Sequence, residues 1–264
     1  MTRLSAIVCV RNEEQRLSAC LENLGFADQV VVVLDRCTDR SGSIAEQGGA
    51  AVVAGIYPLE GDRRAAGMAA ATGDWILEVD ADETIGAELA REIRATIAST
   101  AFDWMKVPVH NYIAERLVRY GWGGSFGTSL AARLYRHGSK RWGRERVHPN
   151  VWFEGREGPN LRGALRHQFG EGVSDVLLRL DRYTALRAQD LREHGGRLGK
   201  WDNVRRGVQR FWKCYVRRGG WREGGWGLLL SLMAALYPLI SVLRAELEGA
   251  VPAQTGQMPT ARAA

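Results

Sequence analysis

Cysteine is scarce in this chain, and nothing pairs it. Cys9, Cys20, Cys37 and Cys214 form no C-x-x-C, and Cys9 falls within an apolar run that reads as a buried strand. A disulfide framework and a zinc site are therefore not expected, and a reducing compartment is. No signal peptide is visible either, because the sequence enters a strand pattern at Leu4. We expect a cytoplasmic protein. Recognised nucleic-acid-binding motifs are absent. Charge is missing over one long stretch, Trp226 to Leu243, and acids are reduced to one in each of two late stretches. Residues 133–146 hold six Arg or Lys against Glu145, and residues 197–222 hold nine against Asp202. What remains is a globular composition: 264 residues, 45% hydrophobic, 25% charged, net charge +6 and a sequence pI near 9.4. That is enough for one large domain, or one domain with an appendage. Basic charge placed late suggests an anionic partner there.

To about residue 100, strand and helix patterns alternate. Leu4–Val10 and Gln29–Leu34 are short apolar runs suited to buried parallel strands, and Ala51-Val52-Val53 is a third. Asn12, with Gln15 three later, reads as a helix start. Thr84 reads as the cap of a helix carrying Leu89, Ile93 and Ile97. This alternation implies an α/β fold with a mostly parallel sheet. The most informative stretch is Trp75-Ile-Leu-Glu-Val-Asp-Ala-Asp-Glu83: an apolar strand ending in Asp80, Asp82 and Glu83. Like charges at the end of a buried strand are costly unless a cation lies between them, and Mg2+ or Mn2+ is the simplest one. The bland alternative is an acidic loop that caps the next helix. Side chains turned from any cleft, or tied to neighbouring arginines, would count against the ion.

Four segments occur in order: Val8-Cys-Val-Arg-Asn-Glu-Glu14, Val31 to Asp39, Arg63-Arg-Ala-Ala-Gly67 and Ala71 to Glu83. Together they resemble the family 2 glycosyltransferases of the GT-A fold, a Rossmann-like sheet flanked by helices. Ala132-Arg-Leu-Tyr-Arg136, Val147-His148, His167 and Arg182-Tyr-Thr184 are similar to the branch containing lipopolysaccharide-core β-glucosyltransferases. The resemblance implies a metal-dependent, inverting transfer from a nucleotide sugar, UDP-linked by expectation, to a lipid-linked or cell-envelope glycan. It assigns Asp82 and Asp80 to the metal, with His148 as a further ligand or a phosphate donor. Val10 and Arg11 (through backbone), Glu13, Asp35, Arg64 and Asp80 go to the nucleotide sugar. Each has a plainer reading: Asp35 and Asp39 as helix caps, Glu13 and Glu14 as first-turn acids, Arg64 as a surface residue, and His148 and His167 as structural histidines.

Some positions depart from the pattern. Leu34 replaces the first of an acidic pair, Ala65 replaces an Asn, and Pro149 stands where the branch carries a Glu suited to be the general base. Glu145 and Glu154 are the nearest replacements, with Glu83 and Glu115 further off. We expect a glycosyltransferase domain over 1–170, divided at residue 100 into nucleotide-sugar and acceptor halves. A helical extension over 171–250 and a disordered tail over 251–264 follow. The apolar stretch near the end could span a bilayer, but its length is marginal and Pro238 interrupts it. A helix lying on an anionic membrane or packed in a homodimer is preferred to spanning, and a buried core helix remains the plain alternative. The basic tryptophan-rich segment before it favours the inner face of the cell membrane over nucleic acid. A nucleic-acid-binding protein and a non-catalytic nucleotide-sugar-binding relative are the competing readings.

Overall fold

The computed structural model describes residues 2–123, 126–146, 149–194 and 199–248. Val147, His148 and the tail from residue 249 lie outside the described residues, and with them the expected ligand His148 and the expected disordered 251–264.

The apolar runs become β1 (Leu4–Val10), β2 (Gln29–Asp35), β3 (Ala51–Gly55) and β4 (Trp75–Asp80). Three helices carry the crossovers: α1 (Leu17–Asn23), α2 (Ser41–Gln47) and α3 (Glu60–Ala70). The four strands pair parallel in the order β3-β2-β1-β4, as helical crossovers of one hand require. After β4 come β5 (Glu83–Ile85), α4 (Ala87–Ser99), β6 (Trp104–Ile113), β7 (Arg116–Val118), β8 (Leu130–Arg136), β9 (Lys140–Trp142), β10 (Val151–Phe153) and β11 (Leu165–Gly170). The sheet continues β4-β8-β6-β11-β5, and this half is mixed: β8 is antiparallel to β4 and β6, and β11 is parallel to β6. The α/β sheet is thus parallel through its first half only. The chain then turns to α5 (Val173–His194) and α6 (Lys200–Trp212). A π-helical turn, Lys213–Arg217, and a 3-10 turn, Gly220–Glu223, lead into α7 (Gly225–Leu247).

Alternation along β4 explains how one strand serves both core and site. Trp75, Leu77 and Val79 enter the main core with Leu17, Leu21, Leu89 and Ile93. Ile76 faces the other way with Tyr135, and Glu78 and Asp80 continue that second face. A third cluster joins Phe126 and Phe169 to Val176, Leu180, Leu230, Met233 and Tyr237 of α5 and α7. α7 is long and apolar enough to cross a membrane, yet 44% of its apolar window is buried inside the protein. Leu228, Leu232 and Leu236 are left exposed at four-residue spacing.

Two expected caps are corrected. Asn12 does not start α1, which begins five residues later at Leu17. Its amide instead bridges to the next strand-to-helix loop, where Oδ1 accepts from Thr38 N at 2.8 Å. Thr84 lies in β5, and Gly86 precedes α4. In both places a tertiary contact or a short strand outcompetes the local capping signal.

Candidate active site

The strand order reverses direction between β1 and β4, and a cleft of about 840 Å³ opens past the carboxyl ends of these strands. Ligands bind at this place in open α/β sheets. Two non-glycine residues on its rim, Asn12 after β1 and Arg36 after β2, hold left-handed backbone with φ of 58° and 52°. Such conformations persist where the surroundings fix them, and they cluster at functional sites. Here the fixing partners are Thr38 for Asn12, and Gly55 O, which accepts from Arg36 N at 3.1 Å.

Charges fill the cleft floor. Asp80 Oδ1 meets Arg64 Nη2 at 3.2 Å, and its Oδ2 accepts from Arg133 Nη2. Burial pushes the Asp80 carboxyl up, but Arg133 and Arg64 outweigh it and hold it well below the usual range. Arg133 also binds Glu83 at 2.8 Å, and Arg64 binds Glu60 at 2.9 Å and Glu78 at 3.3 Å. Glu78 in turn accepts from Lys140 Nζ at 2.7 Å and from Tyr135 OH at 2.6 Å. Burial lowers the Lys140 ammonium to about 8 against the opposing pull of Glu78. Burial also raises Glu83 to about 7, and Arg133 only partly offsets this. Glu78, Arg133 and Lys140 were not singled out as site residues. The available signals were a carboxylate inside an apolar strand and two cations in strands that must pair with it.

Asp82 is placed differently. Its Oδ2 takes both of its contacts, His167 Nε2 at 3.3 Å and Arg179 Nη2 at 3.1 Å, so Oδ1 meets no donor among the described residues. β11 brings His167 there by pairing His167 with Glu83 and by donating Gln168 N to Asp82 O at 2.8 Å. His167 Nδ1 lies 2.7 Å from Asn111 Oδ1, and Asn111 Nδ2 donates to Thr128 O at 2.9 Å. Asn111 Oδ1 and Asp82 Oδ2 can only accept, so both ring nitrogens carry a proton in this arrangement. Asn111 holds the Nδ1 proton, and Nε2, turned toward Asp82 and the cleft, is the nitrogen that a bound ion would deprotonate. Burial lowers the imidazole pKa, but Asp82 outweighs it and the net shift is upward. Burial raises Asp82 likewise, and His167 outweighs it to leave the carboxyl lowered.

The remaining sequence-predicted residues divide. Arg11, Glu13, Asp35, Arg64, Asp80 and Asp82 all line the cleft. Arg11 and Arg63 line it without an ion pair to any described acid, and Arg63 Nε is buried without a hydrogen-bond partner. Burial raises the Glu13 carboxyl, and its one ion pair among the described residues is the long contact to Arg16 at 3.5 Å. Asp35 already grips Arg36 through both oxygens, at 2.9 and 2.8 Å, and its Oδ1 accepts from Tyr57 N at 3.0 Å. Val10 is fully buried in the main core and is not part of the cleft wall. The general-base candidates are corrected. Glu145 accepts from Asn150 N at 3.2 Å, and Glu154 pairs with Arg141 at 2.6 Å on the β9–β10 hairpin. Neither reaches the cleft, whereas Pro149 does. Asp80 is also tied on both oxygens to arginines, so in this state it organises guanidinium groups and offers no open oxygen to an ion. Among the described residues no three Asp, Glu, His or Cys side chains converge as a ready-made ion cage.

A parallel α/β half ending in an acidic and arginine-rich cleft, joined to a mixed half, is the GT-A arrangement. Residues 5–120 match the family described as glycosyl transferase family 2. The chain is similar to that family over those residues, and the protein is a glycosyltransferase. A lipopolysaccharide core biosynthesis glycosyltransferase of Rhizobium meliloti, LpsC, is 24% identical over 252 residues, covering 91% of each chain. An uncharacterized glycosyltransferase of Rickettsia felis is 34% identical over 102 residues, and the match spans 35% of its length. Among solved structures, glucosyl-3-phosphoglycerate synthase from Mycobacterium tuberculosis, in complex with Mn2+, UDP and glucosyl-3-phosphoglycerate, is 20% identical with a TM-score of 0.36. The match covers 42% of this chain and 44% of that one. S. aureus TarS 1-349 is 17% identical with a TM-score of 0.48, covering 72% of this chain and 65% of that one.

Proposed function

We propose that the enzyme transfers a sugar from a nucleoside diphosphate donor, UDP-linked, to a hydroxyl of a cell-envelope glycan of the lipopolysaccharide type, with Mg2+ or Mn2+ as cofactor. The observation that carries this reading is the Asp82–His167–Asn111 arrangement at the mouth of the switch-point cleft. Asp82 keeps one carboxylate oxygen without a donor among the described residues, and His167 presents Nε2 while Asn111 holds the proton on Nδ1. An oxygen and an imidazole nitrogen held this way fit a divalent ion that keeps further positions for phosphate oxygens. When bound, the ion would neutralise charge on the departing diphosphate.

The chain's own residues supply the rest. Arg11 and Arg63 line the cleft with guanidinium groups that no described acid pairs, suited to phosphate oxygens. The pairs Asp80–Arg133 and Asp80–Arg64 hold two more cations rigidly on the floor, where they need no reorganisation as negative charge develops. Asp35, Glu13 and the backbone of Arg11 bound the end of the cleft nearest β1 and β2, the place for the nucleoside. The acceptor class draws support from the full-length likeness to LpsC, whose name places it in lipopolysaccharide core biosynthesis.

A nucleotide-sugar screen by thermal shift with Mn2+ tests donor and cofactor together. At a hundredfold excess over Kd a ligand adds about 2.7 kcal/mol, roughly 5–10 °C in Tm for a chain of this size. The expected result is such a shift with a UDP-sugar plus Mn2+, and none with Mn2+ and other nucleotides. His167→Ala should weaken the Mn2+-dependent part by roughly 10–100-fold in affinity. An equal shift without metal would overturn the cofactor assignment.

A further inference from the structure

We propose that α6 and the turns following it form a docking surface for an anionic phospholipid bilayer, with Trp201, Val208, Trp212 and Trp221 as its apolar anchors. The two sides of α6 are used in opposite ways. Asn203, Gly207 and Cys214 face inward. At Gly207 a Cβ would lie 2.7 Å from the carbonyl oxygen of Ala235, so the α6 backbone rests directly on α7. On the far side Trp201, Val204, Val208 and Trp212 follow one another at helical spacing, and all are in solvent. Trp201 is 84% exposed, Val208 65% and Trp212 59%. Val216 and Trp221 continue the exposed apolar surface through the turns. Single exposed apolar residues are ordinary, but a continuous stripe with two tryptophans on one helix marks an interaction surface.

Charge identifies the occupant. Arg205, Arg206, Lys213, Arg217, Arg218 and Arg222 flank the stripe and are exposed. Between residues 200 and 222 the only acid is Asp202. Arg222 stacks over the rings of Trp221 and Tyr120 at 5.2 and 5.0 Å, a pairing of aromatic body and cation suited to the headgroup layer. A second copy fits poorly, because a two-fold contact would bring the basic flank against itself. An anionic bilayer satisfies both features, taking tryptophan and valine into its interfacial zone and the arginines onto lipid phosphates. The inference does not depend on the sugar donor or the acceptor.

The test is flotation of the full chain with vesicles of phosphatidylethanolamine and phosphatidylglycerol, set against vesicles of phosphatidylcholine alone. The wild type should float with the anionic vesicles and lose affinity as salt rises. The double variant Trp201→Ser/Trp212→Ser should bind on the order of tenfold more weakly or worse, because two interfacial aromatic anchors are gone. Arg205→Ser/Arg206→Ser should weaken binding to anionic vesicles and flatten its salt dependence. Circular dichroism of both variants should match the wild type, since the replaced side chains are in solvent. Wild-type flotation of the tryptophan variant would overturn the proposal, as would equal binding of the wild type to both vesicle types. So would a dimer in light scattering that the tryptophan variant converts to monomer, because the stripe would then belong to a self-interface.

Discussion

Glu78 lies in the middle of an apolar strand, 2% exposed, with Lys140 Nζ at 2.7 Å and Arg64 at 3.3 Å. Removing one partner of such a buried pair leaves an uncompensated charge and typically costs about 3–5 kcal/mol. Replacing both partners by neutral groups of similar shape is often close to neutral. Glu78→Gln and Lys140→Met should therefore each lower unfolding free energy by about 3 kcal/mol, and the double variant should recover most of that loss. Urea unfolding of the full cycle checks this; additive losses would contradict it. At this scale the sequence told only part of the site. Asp80 and Asp82 were legible because acids at a strand end are expensive without a cation. Their different roles were not, because these depend on which neighbour each oxygen meets. Asp80 has two arginines that arrive from α3 and β8, whereas Asp82 has His167 and Arg179 from β11 and α5. Those partners are 16 to 97 residues away in sequence, beyond the reach of local patterns.

Among the elements, α3 shows how tightly the parallel half is built. An ideal Cβ on Gly67 would stand 2.5 Å from Ile7 Cγ2 and 2.9 Å from Val33 Cγ2, so the helix backbone touches β1 and β2. Arg64 rides on the same helix, which makes that contact part of the site's geometry. Gly67→Ala gains helix propensity of up to about 1 kcal/mol but forces overpacking worth about 1–3 kcal/mol. A net loss of about 1–2 kcal/mol in urea unfolding is expected, with a weaker donor affinity. A variant as stable as the wild type would show that the helix can lift without consequence. The strands and helices of this half were readable in order because each crossover repeats one pattern of apolar run and helix. The capping residues were misplaced where Asn12 found a partner across the cleft rim and where Thr84 joined a three-residue strand.

For the molecule as a whole, the cleft works only because two differently built halves meet over it. The parallel half supplies Arg11, Arg64, Asp80 and Asp82. The mixed half supplies Arg133, Lys140 and His167, and α5 closes the wall with Arg179. The class of fold was legible from alternation and from ordered motifs. The general base was not, because Pro149 removes the residue that would have marked it, and the nearest acids, Glu145 and Glu154, fold onto Asn150 and Arg141. In the proposed function, Asp82 carries the ion that couples the chain to a diphosphate. Calorimetric titration of UDP, with and without Mn2+, into the wild type and Asp82→Ala tests this most directly. Mn2+ should tighten UDP binding by at least about tenfold in the wild type, a gain of about 1.4 kcal/mol, and leave Asp82→Ala unchanged. The same Mn2+-dependent tightening in a folded Asp82→Ala protein would contradict the account.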